Sequence, residues 1–270
     1  MSIPKIIHQI WIQGYDNIPK HLKEMHENCV KINDDFKFIV WDDDKIKKFL
    51  KDNFKPKYLE VYNMMTIPAQ KADFARYAIL YKYGGIYLDM DMVCRKNLNY
   101  FLKHKVFFTT KKDLAYHVYP RYLNGIIGAV PNHKLFKIIF KNIFEREKHY
   151  DNVTYSTGTR LLYDSVQDYR EYMSKNNKNN NKNKNKQNND KNKENNYDIE
   201  IVDAKYLHPC TMYQDEKTCP YKCTDCYIAH TNNSSWSTGL KIFMFIKRNL
   251  LALFVILAFI IILIFHLIRT

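Results

Sequence analysis

This chain of 270 residues lacks two features that would assign it to other classes of protein. Residues 1–20 contain no continuous apolar run, because Pro4, His8, Gln9 and Gln13 interrupt it, so a signal peptide is not expected. No internal repeat is visible, which argues against a solenoid or a propeller. With 46% hydrophobic residues, the chain has enough apolar side chains for the core of one sizeable domain.

Acidic residues are fewer than basic ones, and the net charge of +14 is partly local. Residues 174–196 contain twelve Asn and seven Lys, with no apolar or aromatic residue. Such a segment cannot bury a core, so it is predicted to be a disordered insertion. A nucleic-acid-binding tract is the alternative, but no aromatic side chains alternate with the lysines to stack on bases. We therefore expect no nucleic-acid partner.

A long apolar run occupies residues 250–265, and Lys247 and Arg248 precede it. About 17–25 residues span the core of a bilayer. Residues 249–268 are therefore predicted to form a transmembrane helix, which makes the bilayer a partner and the chain a single-pass membrane protein with a C-terminal anchor. The basic pair outweighs the single Arg269 after the run, which favours a globular domain on the cytosolic side.

Strand and helix patterns alternate along residues 1–240. The predicted strands are the short apolar or alternating segments at 5–11, 36–41, 86–91, 106–110, 125–130, 199–203 and 227–230. The predicted helices lie at 19–32, 45–52, 68–83, 133–150 and 158–173. This alternation predicts an α/β domain with a Rossmann-like, mostly parallel sheet, and such sheets bind ligands beyond the carboxyl ends of their strands.

The segment from Lys71 to Met92 carries the strongest chemical signal. It combines a helix, a Gly-Gly turn and a short strand that ends in Asp89 and Asp91. Because side chains alternate along a strand, both carboxylates are predicted to lie on one face. Mg²⁺ and Mn²⁺ prefer such ligands and keep positions open for a substrate phosphate. An isolated Asp-x-Asp is otherwise most often a solvated turn.

Two charged residues on the preceding helix, Asp73 and Arg76, are three positions apart and share a helix face. The simpler interpretation is a surface ion pair, which is worth less than about 1 kcal/mol. The functional interpretation places both side chains at the rim of a pocket. There Asp73 accepts a hydrogen bond from a ribose hydroxyl, and Arg76 either donates to a phosphate or orients the carboxylates.

Six segments of the chain, in order, carry a family resemblance. They are IPKIIHQIW at 3–11, FIVWDDD at 38–44, KADFARYAILYKYGGIYLDMDM at 71–92, NGIIGAVPNHKLF at 124–136, TGTRLL at 157–162 and AHTNNSSW at 229–236. Together they resemble the family 32 glycosyltransferases with a DXD motif, which include the initiating α-1,6-mannosyltransferases and the inositol phosphoceramide mannosyltransferases. The resemblance implies a GT-A fold, a divalent cation (Mn²⁺ or Mg²⁺) and transfer with retention at the anomeric carbon. It also implies a nucleotide-sugar donor, with GDP-mannose first and a UDP-hexose as the alternative.

The resemblance implies roles for the residues of the central segment. Asp89 and Asp91 take the DXD role, in which Asp91 is the more direct metal ligand and Asp89 touches ribose or bridges through water. Asp73 and Arg76 match the family's donor-binding helix. Arg76 would add to the electrostatic stabilisation of the leaving diphosphate.

The outer segments supply further candidates by the same resemblance. His8 and Trp11 lie where related enzymes receive the nucleotide base, although core packing explains Trp11 equally well. His230 takes the position of a late metal ligand, and neutral imidazole suits Mn²⁺, whereas a lone histidine is more often structural. Trp236 is expected to close over the donor.

Four of the six cysteines form a cluster just before His230, at Cys210, Cys219, Cys223 and Cys226. In a cytosolic domain such a cluster suggests structural Zn²⁺, and in an oxidising compartment it suggests two disulfides. The spacing is not that of two paired zinc knuckles, so both interpretations stay open.

The sequence thus predicts a membrane-anchored, metal-dependent hexosyltransferase with a GT-A domain over residues 1–240. The acceptor is expected to be a lipid, such as an inositol phosphoceramide-type sphingolipid, or a glycan. One alternative is a non-catalytic membrane-anchored protein that binds sugar nucleotides, and metal-dependent hydrolysis of the donor would exclude it. The other is a basic adaptor protein, whose function deletion of residues 174–196 would destroy.

Overall fold

The computed structural model describes residues 2–110, 122–182, 198–210, 218–231, 249–250, 260 and 264. Within these ranges the strands are β1 (Ile6–Ile10), β2 (Lys37–Trp41), β3 (Gly85–Leu88), β4 (Met92–Cys94), β5 (Val106–Thr110), β6 (Tyr122–Ala129), β7 (Ile199–Val202) and β8 (Ile228–His230). The α-helices are α1 (Lys20–Ile32), α2 (Asp43–Asn53), α3 (Pro56–Met64), α4 (Pro68–Tyr83), α5 (Lys134–Glu145), α6 (Val153–Ser156), α7 (Thr159–Lys182), α8 (Ala204–Leu207) and α9 (Cys219–Lys222). Short 3-10 helices lie at Tyr15–Asn17, Leu98–Lys103 and Glu147–His149.

The described part of the chain contains a six-stranded sheet in the order β2-β1-β3-β6-β5-β7. β1 pairs in parallel with β2 and β3, and β7 pairs in parallel with β5. β6 runs antiparallel to both of its neighbours, β3 and β5. All strands but β6 therefore point the same way, which confirms the predicted α/β class and its mostly parallel sheet. β4 and β8 form a separate antiparallel ribbon.

Helices cover both faces of the sheet, and strand alternation divides the core between them. Tyr87 of β3 and Phe108 of β5 face the larger cluster, where α2, α3, α4, α5 and α7 pack. Ile86 and Phe107 face the opposite cluster, which α1 and the ribbon cover. This two-sided burial explains why β3 and the first three residues of β5 are continuous apolar runs.

The boundaries of α2 and α4 follow from local chemistry. The Asp42 side chain accepts a hydrogen bond from the Lys45 N–H at 2.8 Å and so caps α2. Pro68 opens α4, where a missing N–H costs nothing, and Gly84 ends it at φ 65°. Gly85 also has a positive φ, and a side chain there would meet the Ile6 carbonyl at 2.6 Å. The Gly-Gly turn therefore lets β3 lie directly beside β1.

The structure differs from the sequence expectation in several elements. β3 ends at Leu88 rather than at Asp91, so the two aspartates lie in a turn that leads into β4. α3 was not predicted, although Pro56 at its first turn is a helix-start signal. α7 continues to Lys182, into the stretch 174–196 predicted to be disordered, because each added residue of a growing helix gains a backbone hydrogen bond. Residues 183–197 lie outside the described ranges.

The predicted single-pass membrane localisation is wrong, because the described helices do not include a membrane span. Crossing a bilayer takes about 20 consecutive apolar residues in one helix. No helix among the described residues is both long and apolar enough for that, although most of 249–268 lies outside them. The single-pass C-terminal anchor is therefore not supported by the structure.

The zinc interpretation of the cysteine cluster is also wrong. Cys210 pairs with Cys219, and Cys223 pairs with Cys226, so these sulfurs cannot act as thiolate ligands. A third disulfide joins Cys29 of α1 to the end of β4. Disulfides persist in oxidising environments, which argues against the expected cytosolic face.

Candidate active site

The turn between β3 and β4 carries both aspartates of the DXD segment. The Asp89 N–H donates to the Gly125 carbonyl at 2.8 Å, which fixes the start of the turn to β6. The Asp91 carbonyl accepts from the N–H and the hydroxyl of Thr231, at 3.1 and 3.2 Å, which fixes its end to the residue after β8. The turn is therefore held between the central sheet and the ribbon, at the carboxyl end of β3.

His230, the last residue of β8, faces both carboxylates. Its Nε2 lies 3.2 Å from Asp91 Oδ1 and 3.6 Å from Asp89 Oδ2. One ligand atom from each of the three residues lies within 4.8 Å of the others. Two carboxylate oxygens and one imidazole nitrogen form a donor set that suits Mn²⁺ and accepts Mg²⁺. The residues predicted as metal ligands thus lie together and fit a divalent cation.

Asp73 and Arg76 are buried, which removes the surface-pair interpretation. Their exposed fractions are 5% and 4%. Arg76 Nη2 lies 3.0 Å from Asp73 Oδ1, and Arg76 Nη1 lies 3.2 Å from Asp89 Oδ1. The guanidinium also lies over the Tyr87 ring, 4.3 Å from its centroid. One cation therefore bridges the carboxylate of α4 and the first carboxylate of the turn.

The two carboxylates that Arg76 contacts differ in pKa. Burial raises the pKa of Asp73 to about 6, and neighbouring Arg76 only partly opposes it. Burial acts in the same direction on Asp89, but Arg76 and His230 together hold its pKa below the usual value. At neutral pH both carboxylates are therefore charged, and Asp73 titrates closest to the physiological range.

Asn124 and Thr157 complete this network, although neither residue was predicted to have a role. The Asn124 side-chain Nδ2 donates to Asp73 Oδ1 at 2.9 Å, and the Asn124 backbone carbonyl accepts from Arg76 Nη1 at 2.5 Å. The Thr157 hydroxyl donates to Asp73 Oδ2 at 3.0 Å. Both residues lie in segments that carry the family resemblance, so their position in those motifs was the available signal.

A cavity of about 540 Å³ opens in front of these groups. Asp73, Arg76, Asp89, Asp91 and His230 all line it, and its volume lies within the range of small-molecule sites. The remaining lining residues are Ile10, Trp11, Ile12, Gln13, Leu22, Pro68, Ala69, Ala72, Tyr87, Met90, Asn124, Val153, Thr154, Gly158 and Thr159.

The other residues predicted to bind the donor do not all lie at the cavity. Trp11 lines the cavity, and its indole N–H donates to the Asn17 carbonyl at 3.1 Å. His8 is fully buried away from the cavity, and burial lowers its pKa to about 4. The Trp41 indole donates to His8 Nδ1 at 3.3 Å, so the N–H of its Nε2 donates to the Gly84 carbonyl at 3.0 Å. These contacts hold the His8 ring in the core, and its predicted donor-binding role stays a prediction. Trp236 lies outside the described residues.

A mostly parallel α/β sheet with a DXD turn and a cavity at the carboxyl end of β3 is typical of glycosyltransferases of the GT-A type, which use nucleotide-sugar donors. Residues 19–108 match the family described as "Glycosyltransferase sugar-binding region containing DXD motif". Together with a viral glycosyltransferase that matches 94% of the chain at 54% identity, this match shows that the chain belongs to this family of enzymes.

Its relatives include a protein of Acanthamoeba polyphaga mimivirus named as an uncharacterized glycosyltransferase, which is 54% identical over 94% of this chain and 92% of its own length. Inositol phosphoceramide mannosyltransferase 2 of Schizosaccharomyces pombe is 32% identical over 55% of this chain. The match spans only 40% of that protein's length. The solved glycosyltransferase domain of the YGT toxin aligns with a TM-score of 0.49 at 9% identity, covering 65% of this chain and 79% of that one.

Proposed function

We propose that this glycosyltransferase transfers a hexose, with mannose as the first candidate, from a nucleoside diphosphate sugar to a lipid or glycan acceptor in a reaction that requires Mn²⁺ or Mg²⁺. The observation that carries the proposal is the convergence of Asp89, Asp91 and His230 within 4.8 Å on the wall of the cavity.

The balance of charge in the cavity supports a bound cation. Asp73, Asp89 and Asp91 contribute three carboxylates, and Arg76 contacts the first two. His230 faces the second and third. A diphosphate would add further negative charge to this wall. A divalent cation held by the triad would neutralise the charge that develops on the leaving diphosphate.

The protein's own residues supply binding and orientation. Asp73 has hydrogen bonds from Asn124 and Thr157 that fix its carboxylate at the cavity wall, where it accepts a donor hydroxyl. Arg76 is fixed by the Asn124 carbonyl and adds positive charge beside the diphosphate.

The carboxylates that line the cavity in the described residues are Asp73, Asp89 and Asp91, and all three belong to this network. None of them is placed as a separate nucleophile. That arrangement favours displacement on the same face of the sugar, assisted by the leaving phosphate, and therefore retention at the anomeric carbon.

The choice of sugar and acceptor rests on the named relatives. The fission-yeast relative is an inositol phosphoceramide mannosyltransferase, which favours GDP-mannose as donor and a phosphoceramide-type lipid as acceptor. The match covers less than half of that protein, so its substrates do not transfer directly to this chain. A UDP-hexose is therefore the alternative donor, and a glycan is the alternative acceptor. The apolar lining near Trp11, Ile12 and Leu22 offers a surface for a nucleotide base.

The test combines binding with turnover on the full chain. GDP-mannose with Mn²⁺ should raise the melting temperature, because a ligand at about 100 times its Kd adds about 2.7 kcal/mol of stability. UDP-hexoses serve as comparison donors. Asp91→Ala should remove this shift and lower donor hydrolysis by about 10³-fold or more, since one cation ligand is lost from the charged site.

The matched control is Asp34→Ala, which removes an exposed carboxylate far from the cavity lining. It should retain wild-type hydrolysis and the wild-type thermal shift. Full turnover by the wild-type enzyme in excess chelator would contradict the metal requirement. A melting-temperature shift with a UDP-hexose but not with GDP-mannose would identify the UDP-hexose as the donor.

A further inference from the structure

The two oxygens of the Asp89 carboxylate have different surroundings. Oδ1 accepts the Tyr87 hydroxyl at 2.8 Å and lies 3.2 Å from Arg76 Nη1. Oδ2 faces His230 Nε2 at 3.6 Å. Because Oδ1 is held by two donors, Oδ2 is the oxygen that is oriented toward the other cation ligands.

Gly125 on β6 lies directly against this second oxygen. A methyl group on Gly125 would come within 2.6 Å of Asp89 Oδ2 and 3.0 Å of Met92 Cε. The Gly125 carbonyl also accepts the Asp89 N–H, so the two backbones cannot simply move apart. Gly125 is not among the described residues with positive φ, so its backbone conformation is open to alanine. The need for glycine here comes from Asp89 and not from the strand.

We propose that Gly125 is a positioning residue for the cation site: because it has no side chain, Asp89 Oδ2 can face His230 and Asp91. The inference rests on the proposed metal-dependent function and names a determinant of that site. A methyl group at position 125 would force the Asp89 carboxylate to rotate. Rotation either breaks the contacts of Oδ1 with Arg76 and Tyr87 or turns Oδ2 away from the triad.

A double-mutant cycle on the full chain separates this role from a general packing effect. The wild type, Gly125→Ala, Asp89→Ala and the double variant are titrated with Mn²⁺ alone, and the free-ion signal is followed by electron paramagnetic resonance. Gly125→Ala should raise the Kd for Mn²⁺ by about tenfold or more, as is typical when the support of a metal ligand is lost. In the Asp89→Ala background the same change should alter the Kd by less than about twofold, because coupled sites are not additive.

The outcomes are distinct. An equal loss in both backgrounds, or no loss in either, would overturn the positioning role. If Gly125→Ala fails to fold, the double variant decides: folding restored by Asp89→Ala supports a clash with that carboxylate, and continued misfolding overturns it. Mn²⁺ binding that is unchanged in both Asp89→Ala and Asp91→Ala would refute the metal function itself. If Asp89→Ala raises the Kd for Mn²⁺ and Gly125→Ala leaves it unchanged, only the positioning role is refuted.

Discussion

The two walls of the cavity are built in different ways. The buried wall, formed by α4, β3 and β6, holds Asp73, Arg76 and Asp89 in a network of ion pairs and hydrogen bonds inside the core. The ribbon wall consists of β4 and β8, which have three residues each, and His230 is the last residue of β8. We therefore expect the buried wall to contribute more to folding stability and the ribbon wall to complete the proposed cation site.

Covalent links compensate for the small size of the ribbon wall. The Cys29–Cys94 disulfide ties β4 to α1, and two further disulfides lie in the segment before β8. Cys210 and Cys226 pack with Ala229, the residue that precedes His230. The ribbon residues other than His230 are buried, but two three-residue strands supply few side chains, so crosslinks that restrict the unfolded chain are an effective way to stabilise them.

The largest expected effect comes from Arg76→Met, which removes the cation of the buried wall. Asp73 and Asp89 would be left without their guanidinium partner, and breaking a buried ion pair in this way costs about 3–5 kcal/mol of unfolding free energy. Urea denaturation in the presence of chelator measures it without a contribution from bound metal.

Arg160→Met is the matched control, because Arg160 is 44% exposed and pairs with Asp164 on the surface of α7. That change should cost less than about 1 kcal/mol. Equal losses for the two variants would show that the buried wall carries no special share of the stability.

A smaller effect concerns the pH dependence of the same wall. The pKa of Asp73 is raised from its ordinary value of 3.8 to about 6, so the folded protein keeps this proton at pH values where the unfolded chain has lost it. Stability from this group is therefore present at low pH and is lost as the pH rises from about 4 to about 6, by up to about 3 kcal/mol.

Asp73→Asn should lack this decline, because asparagine does not titrate. Denaturation midpoints of the wild type and the variant, measured between pH 4 and pH 7, give the comparison. Parallel pH profiles for the two proteins would mean that Asp73 does not titrate in this window.

The smallest expected effect on folding belongs to His230→Ala in the ribbon wall. Loss of the imidazole should raise the Kd for Mn²⁺ by about tenfold or more, equivalent to about 1.4 kcal/mol. The unfolding free energy without metal should change by less than about 1 kcal/mol, since the imidazole lines the cavity and lies at the end of a short ribbon.

His149→Ala, which removes an exposed histidine outside the cavity, should change neither quantity. A large loss of stability in His230→Ala would remove the distinction between the two walls, because the ribbon would then carry part of the fold.

In the DXD turn, Asp89 and Asp91 converge as expected, but by a geometry that differs from the predicted one. Strand alternation predicted that Asp89 and Asp91 share a face, yet neither lies in a strand. They converge because Gly125 holds one end of the turn and Thr231 holds the other. Contacts across such long stretches of sequence are decided by strand pairing, which a local pattern does not contain.

His8 illustrates the opposite case. Its place in β1 was predicted correctly, but alternation alone could not tell which side of the sheet would be covered. The Gly84 carbonyl and the Trp41 indole hold its ring inside the core, so its donor-binding role stays a prediction with contacts that favour a structural one.

The sequence by itself determined the chemistry of the ligands, the helix spacing that puts Asp73 and Arg76 on one face, and the order of strands and helices, because these depend on residue type and short-range periodicity. Only the tertiary structure decided that this pair is buried, that Asn124 and Thr157 hold it, and that the cysteines near His230 form disulfides. Burial and long-range hydrogen bonding depend on which elements pack together, and that choice is made by the whole core rather than by any one segment.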